Sequence, residues 1–247
     1  MYDPILQLRE APTESAAPNG DRLFCKTLTD PSLPPASREQ YRHLAATLHN
    51  AQTVSGLKAL MIASAVAGEG KTLTAANLAL TFAEAYERTV LLVDADLRRP
   101  SLHRYFPVQG RDTSTAPTAS RAWTQHVRQV TPRLGILTPE QASSAPMADL
   151  TSGRMRQLIQ EARQTVDWIV VDTPPIALLP DASLLASVVD GAVIVVRAGS
   201  TPLDLVKRAV DAIDPQKRLG VVLNGATRQR RDARYGYEKY YSQIEAS

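Results

Sequence analysis

The chain has 247 residues, with 28 Lys and Arg against 25 Asp and Glu for a net charge of +3. That length suits one sizeable α/β domain with tails, and so mild a charge is no footprint of a nucleic-acid-binding protein. The single cysteine, Cys25, excludes an internal disulfide, a multi-cysteine metal site and a cysteine-ligated cluster.

No stretch approaches the roughly 18 apolar residues of a membrane span, and the N-terminus lacks the charged and apolar regions of a signal peptide, so the expectation is a soluble chain in a reducing cytoplasm. Residues 1–36, with six prolines and no sustained periodicity, read as a flexible leader. Cys25 lies in it beside Lys26 and is given no role. At Ser37 the pattern changes. Ser37 and Gln40 are spaced as a capping box, and Tyr41, Leu44, Ala45 and Leu48 recur at helical spacing, so the folded part is expected to open on a helix.

Next comes LKALMIASAVAGEGKTLTAANLAL, from Leu57 to Leu80. An apolar run from Leu60 to Ala63 leads into a loop with Gly68 and Gly70, and Lys71 and Thr72 open an amphipathic segment ending near Ala83: strand, phosphate loop, helix. The glycines let backbone N–H groups turn inward around phosphate oxygens, and the helix N-terminus adds partial positive charge. In this pattern Gly68, Glu69, Gly70, Lys71, Thr72 and Leu73 form the nucleotide-binding loop, Lys71 reaches the β and γ phosphates, and the Thr72 hydroxyl holds magnesium. The match to GxxxxGK[ST] has Ala65 in place of the first glycine.

A second apolar run, Thr89 to Val93, ends in DADLRRP from Asp94 to Pro100, which puts Asp94 and Asp96 at the carboxyl edge of a parallel sheet, facing the loop. His103, Tyr105 and Phe106 read as packing beneath a loop. The stretch between Pro107 and Pro132 reads as loop or weak helix, Leu134 to Leu137 as a strand, and Ser152 to Arg163 as a helix with Met155, Leu158 and Ile159 inward. Trp168 to Asp172 is a buried strand whose terminal acid suits a magnesium ligand, followed by Thr173-Pro174-Pro175. Asp181 is placed to cap the next helix. Ala192 to Val196 is a strand, Thr201 to Ile213 a helix with Pro202 and Asp204 in its first turn, and Leu219 to Leu223 a last strand before Asn224. This alternation predicts a doubly wound, mainly parallel sheet of the P-loop type over residues 37–226, with a tail, 227–247, rich in Arg and Tyr.

With LLVDADLRRP and IVVDTPP following the loop, the chain from about Glu39 to Asn224 resembles the cytoplasmic domain of bacterial tyrosine kinases of the capsule and exopolysaccharide type. The resemblance implies ATP- and magnesium-dependent transfer of the γ-phosphoryl group to tyrosine. Lys71, Asp94 and Asp96 then stand as the catalytic set, with Asp94 the acceptor-side carboxylate. Thr72 and Asp172 hold the metal, Arg98 assists the phosphates, and Asn224 lies on the adenine side. The acceptors are Tyr235, Tyr237, Tyr240 and Tyr241 on the tails of sister subunits, behind Arg228, Arg230, Arg231 and Arg234. It further implies a transmembrane partner that regulates polysaccharide chain length, and recruitment to the inner face of the plasma membrane. The family's assembly motif ExxRxxR is present as Glu39 and Arg42, with Ala45 in place of the second arginine. Self-association is therefore expected to be weakened, and Ala45→Arg to strengthen it. Two other readings are a non-catalytic ATP-binding scaffold of polysaccharide export and a partition or cell-division ATPase. The second normally carries a lysine where this loop has Val66, and lacks DTPP with a tyrosine tail.

Overall fold

The computed structural model describes residues 5–7, 27–106, 127–139, 142–151, 153–177 and 180–226. Cys25 and the C-terminal cluster of Arg and Tyr residues lie outside them. In chain order the elements are β1 (Ile5–Gln7), α1 (Pro35–Ser55), β2 (Ala59–Ser64), α2 (Lys71–Glu84), β3 (Val90–Asp94), β4 (Arg128–Thr131), β5 (Leu134–Leu137), α3 (Pro146–Thr151), α4 (Arg154–Ala162), β6 (Trp168–Asp172), α5 (Pro180–Ala186), β7 (Gly191–Arg197), α6 (Leu203–Asp211) and β8 (Arg218–Asn224).

The described strands form one sheet in the order β1-β8-β7-β2-β6-β3-β5-β4. Every pairing is parallel except β4 with β5. Parallel strands covered on both faces are apolar throughout, and β2, β3 and β6 are buried at every residue. Successive side chains enter opposite layers. Leu60, Ile62, Leu92 and Val170 join α1 and α2 in one core cluster, while Met61, Leu91, Val93 and Val171 join α3 to α6 in the other. Trp168 stacks on Phe82 of α2 with ring centroids 4.2 Å apart and 9° between planes.

Four differences from the expectations have physical causes. First, Ile5–Gln7 of the leader adds a parallel strand beside Val221–Leu223. Residues 27–34 are tied down too: the Arg38 guanidinium donates to the carbonyls of Leu28 and Asp30, and Leu28 N–H donates to Asn77 Oδ1 at 2.8 Å. Second, α1 opens three residues early, on Pro35, with no side-chain cap, and Ser37 is buried inside it. Proline at the first helical position presets φ and lacks the N–H that a cap would satisfy. Third, the stretch taken as loop or weak helix ends in β4, an edge strand whose sequence RQVT has one apolar residue to reveal it. Fourth, the helix expected over Ser152 to Arg163 is present as α4, but α3, for which no helix was expected, precedes it. Ile159 is buried there, while Met155 and Leu158 pack against the cluster partly covered. Phe106 and Tyr105 pack against the core as expected, whereas His103 is exposed.

Ala45 is completely buried in the cluster that also holds Tyr41, Leu44, Leu48 and, from α2, Ala75 and Ala79. It faces the core, not a neighbouring molecule. This corrects the reading of position 45 as a surface where an arginine would improve assembly. Arg42, three residues earlier, is exposed and pairs with Glu39 at 3.3 Å.

Candidate functional site

The loop between β2 and α2 carries its chain reversal on Gly68 and Gly70, at φ +85° and +91°, values at which a Cβ is strained. At Gly70 space is also closed, because a Cβ there would collide with the side-chain amide of Asn224. That amide donates to the Glu69 carbonyl oxygen at 2.9 Å, so the end of β8 braces the loop.

Lys71 and Thr72, the first two residues of α2, are both buried. The Lys71 ammonium lies 3.3 Å from Asp96 Oδ2 and 3.6 Å from Asp172 Oδ1. Burial alone would lower its pKa, but the carboxylates of Asp172, Asp96 and Asp94 outweigh that and hold it above the ordinary lysine value. Lys71 is therefore a cation at neutral pH. The Thr72 hydroxyl donates to Asp172 Oδ2 at 2.7 Å and lies 3.3 Å from the Ser101 hydroxyl.

Asp94 and Asp172 stand directly opposite each other at the ends of β3 and β6. Asp172 is fully buried, and burial pushes its carboxyl up to about 7 against the pull of Lys71. Its Oδ1 has no hydrogen-bond partner among the described residues. A carboxylate oxygen that faces Lys71 but accepts no hydrogen bond, beside a threonine hydroxyl at the mouth of a phosphate loop, suits magnesium, which prefers hard oxygens with phosphate completing the shell. Among the described residues no three His, Cys, Asp or Glu side chains could hold a metal by themselves.

The other aspartates have distinct surroundings. Asp94 Oδ2 accepts from the N–H groups of Ser101 at 2.7 Å and Leu102 at 3.0 Å, and from the Thr138 hydroxyl at 3.2 Å. Its Oδ1 accepts the Asp96 N–H at 3.2 Å. Burial raises the Asp94 pKa, and these backbone bonds oppose the rise. Its carboxylate thus folds the 95–102 loop over the end of β3, a role the expectation of an acceptor-side carboxylate did not contain. Asp96 is freer: Oδ1 takes the Arg99 N–H at 3.1 Å and Oδ2 faces Lys71. Arg98 clasps Asp181 with two nitrogens, at 2.6 and 3.3 Å. Asp181 lies within the first turn of α5, and a buried carboxylate there takes a two-point guanidinium partner instead of capping the helix.

The structure therefore brings Gly68, Glu69, Gly70, Lys71, Thr72, Asp94, Asp96, Asp172 and Asn224 to one edge of the sheet. It gives Arg98 to Asp181, and Leu73, half-buried, follows Thr72 on α2. Ser101, Thr138 and Thr201 belong to this edge and were missed. Ser101 had a signal, since it directly follows DADLRRP; Thr138 and Thr201 are isolated threonines with none.

A phosphate loop followed by helix, with acids ending two adjacent parallel strands, defines a P-loop nucleotide-binding protein. The family model that matches, over residues 57–238, is ParA, described as NUBPL iron-transfer P-loop NTPase. The chain is 35% identical over 203 residues to the tyrosine-protein kinase YwqD of Bacillus subtilis (strain 168), covering 81% of this chain and 85% of that one. It is 33% identical over 174 residues to the tyrosine-protein kinase CpsD of Streptococcus agalactiae, covering 68% and 75%. Among solved structures, the chimerical protein CapA2B2 superposes with a TM-score of 0.73 at 25% identity, over 92% of this chain and 96% of that one. The chain belongs to the bacterial tyrosine-protein kinases, on the ParA-type P-loop fold.

Proposed function

We propose that the site transfers the γ-phosphoryl group of ATP to a tyrosine hydroxyl as follows. The loop N–H groups of residues 68–72 and the Lys71 ammonium hold the triphosphate, with Lys71 moving from Asp96 and Asp172 to the β and γ oxygens. Thr72 and Asp172 would hold magnesium, which would neutralise charge on the β and γ phosphates. Once Lys71 turns to phosphate, Asp96 Oδ2 is released toward the acceptor and takes the phenolic proton. The new bond joins phosphorus to the phenolic oxygen, the bond to the β–γ bridging oxygen breaks, and ADP leaves. Asp94 keeps the Asp96 loop in place.

The acceptors are Tyr235, Tyr237, Tyr240 and Tyr241 of a sister subunit, where tethering in an assembly raises local concentration to roughly millimolar. Phosphates of about −1.5 to −2 charges each then repel the acidic edge and release the tail. On this reading the protein regulates synthesis and export of a capsule or exopolysaccharide. It does so on the cytoplasmic face of the plasma membrane, with a transmembrane chain-length regulator as partner. No helix among the described residues is long and apolar enough to cross a membrane.

The observation that carries the chemistry is the convergence of Lys71 and Thr72 on the buried Asp172 carboxylate. Mass-spectrometric mapping of phosphotyrosine after incubation with ATP and magnesium tests it. Wild type should label its tail, and Lys71→Met should not. A tail labelled equally in both refutes the assignment.

A further inference from the structure

Glu69 sits between the two glycines of the phosphate loop, 1% exposed. A carboxylate so close to N–H groups that bind phosphate weakens their pull on an anion, so its presence requires another use. Its contacts supply one. Oε2 accepts the Val66 N–H at 2.8 Å within the loop. Oε1 accepts the Arg197 N–H at 3.2 Å and the Thr201 hydroxyl at 2.5 Å, both from the turn after β7. The Glu69 carbonyl oxygen accepts the Asn224 amide at the end of β8. One residue therefore ties the loop to the ends of two further strands.

The sheet order says what those strand ends face. β6 and β3, with Asp172 and Asp96, flank β2 on one side, and β7 and β8 flank it on the other. Magnesium at Thr72 and Asp172 would neutralise the γ phosphate and hold it on the acidic side, so the nucleoside would leave the loop toward the Arg197–Thr201 turn and Asn224. We infer that Glu69 is a positioning residue that locks this nucleoside-side wall to the phosphate loop, coupling the grip on the nucleoside to the grip on the triphosphate. The inference rests on the nucleotide reading given above.

The chemistry demands a carboxylate. Both oxygens receive donors, and glutamine has only one acceptor oxygen, so its NH2 group would meet the N–H of either Val66 or Arg197. Thr201→Val is the more selective change, since it removes one donor at a partly exposed turn and leaves the loop's own Val66 bond intact.

The test is calorimetric titration of magnesium with ATP and, separately, with inorganic tripolyphosphate, on wild type, Thr201→Val, Thr201→Ser and Glu69→Gln. Thr201→Val should weaken ATP roughly tenfold, the scale of one hydrogen bond to a charged group, while tripolyphosphate stays within about twofold. Thr201→Ser should restore ATP binding. Glu69→Gln should weaken ATP at least about tenfold, with the loss appearing in KM for ATP more than in kcat. The inference is overturned if both variants bind ATP within about twofold of wild type, or if Thr201→Val weakens ATP and tripolyphosphate equally. Wild type that binds neither ligand overturns the nucleotide reading itself.

Discussion

Replacing Ala45 by arginine separates a surface reading of α1 from the packing observed. The methyl group of Ala45 is completely enclosed, and the cluster around it includes Ala75 and Ala79, small residues of α2. An arginine would have to push α1 off α2 or leave its guanidinium without a carboxylate inside the core. Overpacking costs about 1–3 kcal/mol and an unpaired buried charge several more, so a loss of roughly 4 kcal/mol is expected. For a domain of this size about 2–4 °C of melting temperature goes with each kcal/mol, which predicts a midpoint lower by roughly 10 °C. Thermal melts followed by circular dichroism, with light scattering on the same samples, make the measurement. Arg42→Ala is the control: it removes an exposed pair and should shift stability by less than about 1 kcal/mol. An Ala45→Arg protein that melts within about 2 °C of wild type and forms larger assemblies would refute the packing account.

Lys71→Met should abolish phosphate release and weaken ATP binding by about tenfold or more, because the cation facing the β and γ phosphates is lost; calorimetry and a phosphate-release assay check this. Asp94→Asn should lower stability by about 1–3 kcal/mol, since whichever way the amide turns its NH2 meets a backbone N–H, and urea unfolding reads that cost. Asp96→Asn should lower tyrosine transfer by roughly a hundredfold or more, the scale of a lost general base, as read by phosphotyrosine mapping. Burial alone would raise the Asp190 carboxyl, but hydrogen bonds from Arg163 and the Ala59 and Lys58 N–H groups hold it below the ordinary aspartate value. Its contribution is therefore full above the unfolded value and lost as pH falls below about 4, so Arg163→Met should flatten the acid limb of a melting-temperature profile. Transfer between subunits is tested by mixing Lys71→Met protein with an active protein whose four C-terminal tyrosines are phenylalanine. Phosphate should appear on the inactive chain, and its absence while wild type labels itself refutes transfer in trans.

Legibility in the sequence followed the strength of the physical constraint. A strand covered on both faces has to be almost wholly apolar, so β2, β3, β6 and β7 announced themselves, and the acids that end β3 and β6 with them. GEGKT was legible because only glycine turns the loop where Gly68 and Gly70 turn. The edges were not. β1 and β4 are short and pair on one side, and RQVT carries too little apolar pattern to distinguish a strand from a loop. Within the site, the acids' positions were legible but their partners were not. Whether Asp94 or Asp96 is committed to backbone N–H groups depends on how residues 95–102 fold back, and Arg98 could not be assigned to Asp181 across 83 positions of chain. Ala45 misled because a family motif gives the residue type at a position and says nothing of the face on which that position lies.

The stack of Trp168 on Phe82 joins the strand that ends in Asp172 to the helix that begins with Lys71. The sequence has two tryptophans, so Trp123→Phe leaves Trp168 as the sole indole emitter. Its emission then comes from a fully enclosed ring pressed against the far end of the nucleotide helix. Any tilt of α2 against β6 on filling the loop changes ring overlap and local polarity, and with them intensity and wavelength. The protein thus carries an optical gauge of helix movement inside its own core, readable in stopped flow without a label and placed well away from the reacting atoms.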